Sequence, residues 1–294
     1  MKILITGASG LLGAKVAELA LKRGFDVYSG YLTQVPIFGK PVRVDVSDRA
    51  SVYNIITSLK PDAVIHCAAL TDVDRCEVEK ELAIKVNAEG AGFVAEAVRE
   101  AKAYMIFIST DYVFDGSKGL YREEDKPNPV NFYGYSKLLG EKAVEKAAEE
   151  PLIARTSAIY GAKPASGKVN FALWLIDRLR SRQEARVVVD QYVSPTLNTN
   201  LAEILLEACE RRLSGLYNLA GAERVSRFGF AVKLAETFDL NRNLIKEAKM
   251  SDMSWTAKRP IDSSLDVSKA MKDFKVKPMK LDEALSVLKH EFSR

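Results

Sequence analysis

Metal-ligating and redox side chains are scarce in this chain of 294 residues, which holds three cysteines (Cys67, Cys76, Cys209) and two histidines (His66, His290). None falls at metal-ligand spacing, so no zinc site is expected. Cys67 closes the apolar run Ala63–Cys67 and reads as a buried, inert thiol. Such cysteine usage fits a reducing cytoplasm, the location expected. No apolar run approaches the length of a membrane span. Charge of one sign is missing too: 43 Lys and Arg against 39 Asp and Glu leave a net +4. No basic cluster is interleaved with aromatics, which argues against a nucleic-acid partner. There is no internal repeat and no low-complexity tract. Met1-Lys-Ile-Leu-Ile-Thr-Gly7 already reads as a fold element, so no signal peptide is expected.

What is present is an apolar content of 47%, enough for a full core, and a regular alternation of strand and helix patterns. Strands are expected at Lys2–Thr6, Asp26–Ser29, Val42–Val44, Ala63–Cys67, Tyr104–Ser109 and Leu152–Arg155. Helices are expected at Leu11–Arg23, Ser51–Leu59, Lys80–Ala101 and Ser136–Glu149. This is the pattern of an α/β fold, a Rossmann-type doubly wound parallel sheet. Loops at Asp115–Asn131 and Gly161–Lys168 follow the carboxyl ends of strands, where open α/β sheets bind ligands. Beyond Gly161 the alternation weakens. The division expected is a dinucleotide-binding domain over 1–160 and a smaller, mainly substrate-binding lobe over 161–294, some of whose segments return to the first domain. The amphipathic helix Asn170–Arg182 is expected to lie on the domain, and a homodimer stays open.

Three constellations carry chemistry. Gly7, Gly10 and Gly13 follow the first strand and open a helix, so that Ser9, Gly10, Leu11 and Leu12 form its approach. Gly7 allows a tight turn, Gly10 lets backbone near a pyrophosphate, and Gly13 lets the helix lie close. The helix end then offers unpaired N–H groups to phosphates. Tyr133 and Lys137 stand four apart, on one face of a helix. A cation beside a phenol is expected to lower its pKa, making it a proton donor or acceptor for a carbonyl or alcohol. Thr110, the first hydroxyl after the buried run ending the fifth strand, is expected to donate to the same oxygen. Alone, it would as readily satisfy its own backbone.

The stretches Thr6-Gly-x-x-Gly-x-x-Gly13, Ser109-Thr-Asp-Tyr-Val-Phe114 and Tyr133-x-x-x-Lys137 resemble the extended short-chain dehydrogenase/reductase superfamily. Ala68-Ala-Leu-Thr-Asp-Val-Asp74, Val86-Asn87, Pro127-Asn-Pro129, Arg155-Thr-Ser157, Asp190-Gln191, Ser194-Pro-Thr196, Gly215–Gly221, Arg259-Pro260 and Ser264-Leu-Asp266 extend the likeness to dTDP-4-dehydrorhamnose reductases over nearly the whole chain. The resemblance implies a nicotinamide near Ala68, Ala69 and Leu70, with its ribose held by Lys137. It places Asp45 and Val46 at the adenine, although Asp45 could equally cap the next helix. Tyr133 would protonate the sugar C4 oxygen, aided by Thr110, with Asp111 and Tyr112 bordering the sugar. Arg259 would contact the pyrophosphate or serve as a surface ion-pair residue. Trp174 and Trp255 would line the lobe or belong to its core.

The segment Val27–Thr33 offers neither a carboxylate to repel a 2′-phosphate nor an arginine to hold one, and NADP(H) is favoured over NAD(H). Two features depart from the bacterial reductases. Their sugar-facing tryptophan is missing, since Ala158 follows Arg155-Thr-Ser157 and no aromatic comes before Tyr160. Lys15 stands where some members place a magnesium-binding glutamate, so no metal is expected. The regulatory β subunit of methionine adenosyltransferase is also similar, from Tyr121-Arg-Glu-Glu-Asp125 to Gly140-Glu-Lys-Ala-Val144. That resemblance implies an NADP-binding partner of a catalytic subunit. A nucleotide-sugar epimerase or dehydratase is the remaining rival. Dehydratases place Asp-Glu after the threonine, where this chain has Asp111-Tyr112.

Overall fold

The fold is that of a computed structural model, which describes residues 1–163 and 169–292; residues 164–168 of the expected Gly161–Lys168 loop lie outside it. The chain enters its central sheet through β1 (Lys2–Thr6), β2 (Asp26–Tyr31), β3 (Lys40–Arg43), β4 (Ala63–His66), β5 (Tyr104–Thr110) and β6 (Leu152–Thr156). It leaves through four short strands, β7 (Ile159–Tyr160), β8 (Ala185–Val188), β9 (Tyr192–Val193) and β10 (Thr196–Leu197). It then returns as β11 (Gly215–Asn218), beside β6. Finally β12 (Val225–Ser226) pairs with β9, and β13 (Ile245–Ala248) with β8. The central sheet is parallel, in the order β11-β6-β5-β4-β1-β2-β3. The strand order reverses between β1 and β4, which opens a crevice at their carboxyl ends.

Between the strands run α1 (Leu11–Lys22), α2 (Arg49–Leu59), α3 (Val73–Val78), α4 (Lys80–Ile84), α5 (Gly90–Glu100) and α6 (Phe132–Ala147). Later come α7 (Phe171–Arg180), α8 (Asn198–Arg211), α9 (Arg227–Thr237), α10 (Ser268–Asp273) and α11 (Leu281–Phe292). Strand alternation sorts the core into two layers. Ile3, Ile5, Ile65 and Ile106 meet α1 and α8 on one face; Leu4, Val64, Met105 and Phe107 meet α2, α5 and α6 on the other. A separate core of Leu175, Leu179, Phe230, Leu234, Leu285 and Leu288 joins α7, α9 and α11. Trp174 packs against this core, and Tyr160 lies in it with its ring 4.9 Å from that of Phe230.

Some boundaries differ from expectation for local reasons. The helix expected over Lys80–Ala101 is broken by a π-helical turn at Lys85–Glu89, which aims Asn87 inward. The α6 helix starts at Phe132 rather than Ser136, because the Asn131 side chain accepts from Gly134 N at 2.9 Å and caps it. An edge position lets β3 begin at Lys40 despite Pro41.

His66 ties the two strands at the reversal. Its Nδ1 shares a 2.7 Å hydrogen bond with Thr6 Oγ1, and its ring stacks on Phe107 at 5.8 Å. Burial, and secondarily the charge of Lys137, hold His66 down to about 3 from its ordinary 6.5. The unfolded chain therefore takes up a proton near pH 6.5 that the folded one refuses, so this contribution to stability is lost as pH falls from about 6.5 toward 3. His66→Gln keeps an acceptor for Thr6 but does not titrate. Denaturant unfolding at pH 7.5 and 5.0 should show a smaller acid loss in the variant than in the wild type; equal losses would refute this account.

Candidate active site

The turn after β1 is built around the glycines. Gly7 takes φ +67°, and a Cβ on Gly13 would stand 2.3 Å from Gly7 O, so only glycine lets α1 begin there. Gly10 N donates to Gly7 O at 3.0 Å, and Gly10 caps α1 without a side chain. Ser9, Gly10 and Leu11 are half-buried before the helix end, while Leu12 and Gly13 are buried behind it. This bare, positively polarised end fits a pyrophosphate.

At the end of β4, Cys67, Ala68, Ala69 and Leu70 form a half-buried shelf. Ala68 N donates to Thr6 Oγ1 at 3.3 Å. Asn87 fixes Leu70 from both sides: its Oδ1 accepts from Leu70 N at 2.8 Å, and its Nδ2 donates to Leu70 O at 3.0 Å. The same Nδ2 donates to Ser136 Oγ of α6 at 3.0 Å. Asn87 thus registers the shelf against the helix that carries Tyr133 and Lys137, a role its place in the sequence did not reveal. Cys67, expected buried, is half-buried, and desolvation pushes its thiol up to about 12.

The α6 helix approaches the turn after β5 closely because residue 134 is glycine. A Cβ there would stand 2.0 Å from Tyr112 O. Tyr133 is half-buried, with its ring 6.0 Å from that of Tyr112. Its phenol is moved opposite to expectation. Burial pushes its pKa well above the usual 10, while a hydrogen bond with Thr110 opposes this, and the phenol stays protonated. Lys137 is 2% exposed, with Nζ 4.0 Å from the Phe107 ring centre. Burial pushes it down to about 7, with Glu141 pulling the other way.

Thr110 ends β5, as the apolar run indicated, and its hydroxyl serves two further neighbours. It accepts from Tyr112 N at 3.2 Å and donates to Asp111 Oδ1 at 3.0 Å. The backbone-satisfying reading is therefore met in this state; donation to a substrate requires its proton to turn from Asp111. Asp111 was expected to border the sugar, but it is 3% exposed. Its Oδ2 accepts from Ser157 at 2.7 Å and from Ser263 at 2.6 Å. It supports the site from beneath, while Tyr112 is half-buried beside Tyr133.

Arg259, expected either at a pyrophosphate or in a surface ion pair, makes the ion pair: it donates to Asp74 Oδ2 at 2.9 Å and lies 5.3 Å from the Trp255 ring centre. Its fork is thus committed within the protein. Half-buried Arg227 at the start of α9 was missed; its charge acts on both Asp111 and Tyr112. No periodicity marks it, since the lobe brings it there. Asp45 does not cap α2. Asp48 does, accepting from Ala50 N at 3.0 Å, while Asp45 accepts from Ser47 N at 2.9 Å and buried Val46 joins the core beside it. An arginine also stands near the end of β2 after all: the register sets exposed Arg43 beside Tyr31. Lys15 pairs with Glu18 at 3.0 Å and Glu291 at 3.3 Å. Among the described residues, no group of three His, Cys, Asp or Glu could hold a metal, and no helix is long and apolar enough to cross a membrane.

A glycine turn at the β1–β4 reversal, with a Tyr–Thr–Lys cluster at the end of β5, defines an NAD(P)-dependent oxidoreductase of the extended short-chain dehydrogenase/reductase fold. Within that class, the family model for the RmlD substrate binding domain matches residues 1–293, and the chain belongs to this family. It is 35% identical to the probable low-salt glycan biosynthesis reductase Agl14 of Haloferax volcanii, over 100% of this chain and 99% of the relative. It is 32% identical to methionine adenosyltransferase 2 subunit beta of Xenopus tropicalis, over 92% of this chain and 82% of that protein. The crystal structure of dTDP-4-dehydrorhamnose reductase from Bacillus anthracis in complex with NADP superposes with a TM-score of 0.89, at 30% identity and 99% coverage of both chains.

Asn87→Ala should leave Leu70 N and Leu70 O without their side-chain partners and cost about 1–3 kcal/mol of stability. It should also weaken NADPH binding, read by cofactor fluorescence. Wild-type affinity in the folded variant would show that Asn87 does not set the shelf.

Proposed function

We propose that the protein reduces the 4-keto group of a nucleotide-linked 6-deoxy sugar, converting dTDP-4-dehydro-L-rhamnose to dTDP-L-rhamnose with NADPH in preference to NADH. The observation that carries this reading is half-buried Tyr133 on α6, one helical turn from Lys137 and packed on Tyr112 just beyond Thr110 at the sheet's carboxyl edge, in surroundings that keep its phenol protonated. A phenol kept in its acid form suits carbonyl reduction, in which a proton must be given. Bound along Gly10–Leu12 and the Ala68–Leu70 shelf, a reduced nicotinamide cofactor supplies hydride to the sugar C4.

Tyr133 gives its proton to the C4 oxygen as negative charge develops there. Thr110, turning its hydroxyl from Asp111, donates a second hydrogen bond to that oxygen. Lys137 holds the ribose hydroxyls and offsets the charge left on the phenol. Tyr112 and Arg227 border the sugar nucleotide, with Arg227 supplying positive charge for its phosphates. The lack of a carboxylate after β2, with Arg43 beside Tyr31, supports the 2′-phosphorylated cofactor.

Tyr160 lies in the lobe core and Ala158 presents only a methyl group, so neither provides a stacking surface for the sugar. The substrate is accordingly the point to test first. The likeness to methionine adenosyltransferase 2 subunit beta supports a second reading, an NADP-binding regulatory partner of a methionine adenosyltransferase catalytic subunit.

Purified protein given dTDP-4-dehydro-L-rhamnose should consume NADPH faster than NADH, followed at the nicotinamide absorbance. Tyr133→Phe should bind NADPH within about threefold of wild type yet lose turnover by about 10²–10⁴. Folded wild type that oxidises neither cofactor, but captures a methionine adenosyltransferase catalytic subunit, would replace the reductase reading with the regulatory one.

A further inference from the structure

Glu141 takes no part in the proton transfer above, yet it lies beside it at 3% exposure. It follows Lys137 by four residues on α6, so both side chains lie on the face turned to β5. Three hydrogen bonds fix its carboxylate. Ser109 Oγ donates to Oε1 at 2.5 Å, Arg155 Nε donates to Oε1 at 2.9 Å, and Arg155 Nη2 donates to Oε2 at 2.7 Å. Ser109 immediately precedes Thr110, so the same carboxylate is tied to the strand end that carries the other site hydroxyl.

Lys137 is a buried amine whose charged form is penalised by the loss of water. The groups acting on its charge are few. The Phe107 ring lies under Nζ, and the imidazole of His66, stacked behind that ring, is uncharged at neutral pH. The thiols of Cys67, just after β4, and of Cys76 on α3 also act on it, as does Glu141 from α6 itself. Only Glu141 among these is a carboxylate. We propose that Glu141 is a positioning residue whose buried carboxylate, clasped by Ser109 and Arg155, is the counter-charge that keeps Lys137 protonated in the site.

The physical reasoning is direct. Burial penalises the ammonium, and an opposite charge nearby restores it by about 1–3 pH units. Arg155 fixes the carboxylate in place, and the pull of Glu141 on Lys137 is toward the charged form. The consequence for catalysis rests on the reductase reading, but the charge state of Lys137 does not, and can be measured without turnover.

The full-length protein, made with lysine labelled with ¹³C at Cε, would be titrated by NMR, with Lys137 assigned by loss of its signal in Lys137→Met. Glu141→Gln should move the Lys137 midpoint down by about 1 unit or more. Ser109→Ala keeps the charge and should leave the midpoint within about 0.3 unit. If Glu141→Gln does not fold because Arg155 is left unpaired, Glu141→Gln/Arg155→Met removes both charges and should still lower the midpoint. An unmoved midpoint in the folded charge-removed variant, or an equal shift in Ser109→Ala, would overturn the proposal. A lowered midpoint in protein that never turns over would uphold it while the reductase reading fails. Lost turnover in Glu141→Gln with an unmoved midpoint would do the reverse.

Discussion

The carboxylate of Glu141, held by Arg155 and Ser109 between β5, β6 and α6, is the interaction on which the rest of the site depends. Both members of the ion pair are almost fully buried, with side-chain exposures of 3% and 4%. Removing either partner strands a charge in a low-dielectric interior, a cost of several kcal/mol. The three elements are therefore bound to one relative position. That position places Thr110 beside Tyr133 and takes Lys137 out of water. Asn87 extends the arrangement to the Ala68–Leu70 shelf, and His66 with Thr6 extends it to the glycine turn.

Burial also decides the chemical character of the site. Tyr133 and Lys137 are both moved toward their uncharged forms, the phenol upward and the ammonium downward. A protonated phenol beside a lysine near its titration midpoint is suited to giving a proton. Asp111 gives support in the same way. Its carboxylate receives hydroxyl hydrogens from Thr110, Ser157 and Ser263, drawn from β5, the end of β6 and the segment after Arg259. The lobe is thereby stitched to the sheet directly under the reacting region.

Much of this was legible along the chain. Short apolar runs alternating with helical patterns pointed to the strands of the first half, and the Gly7–Gly13 spacing suggested where a dinucleotide would lie. Tyr133, Lys137 and Thr110 could be singled out because each sits at a local signal, a helical spacing or a strand end. What went unread shares one cause: its partners are remote. Asn87 lies on a π turn that a helical pattern conceals. Arg43 was overlooked because only strand register brings it to Tyr31. The charge of Arg227 acts on Asp111 and Tyr112 from the lobe, and of the two readings of Arg259 the ion pair is the one met, with Asp74 as its distant partner.

The sequence by itself therefore determined the fold class, the glycine turn and the choice of Tyr133, Lys137 and Thr110 as candidate site residues, because periodicity and short spacings act over a few residues of backbone. The tertiary structure alone decided their state. A pKa depends on how much water is excluded and which charges stand within a few ångströms, and those neighbours come from distant parts of the chain. Tyr133 and Lys137 were thus visible as a pair from spacing, but their protonation states were set only when β5, β6 and α6 closed around Glu141.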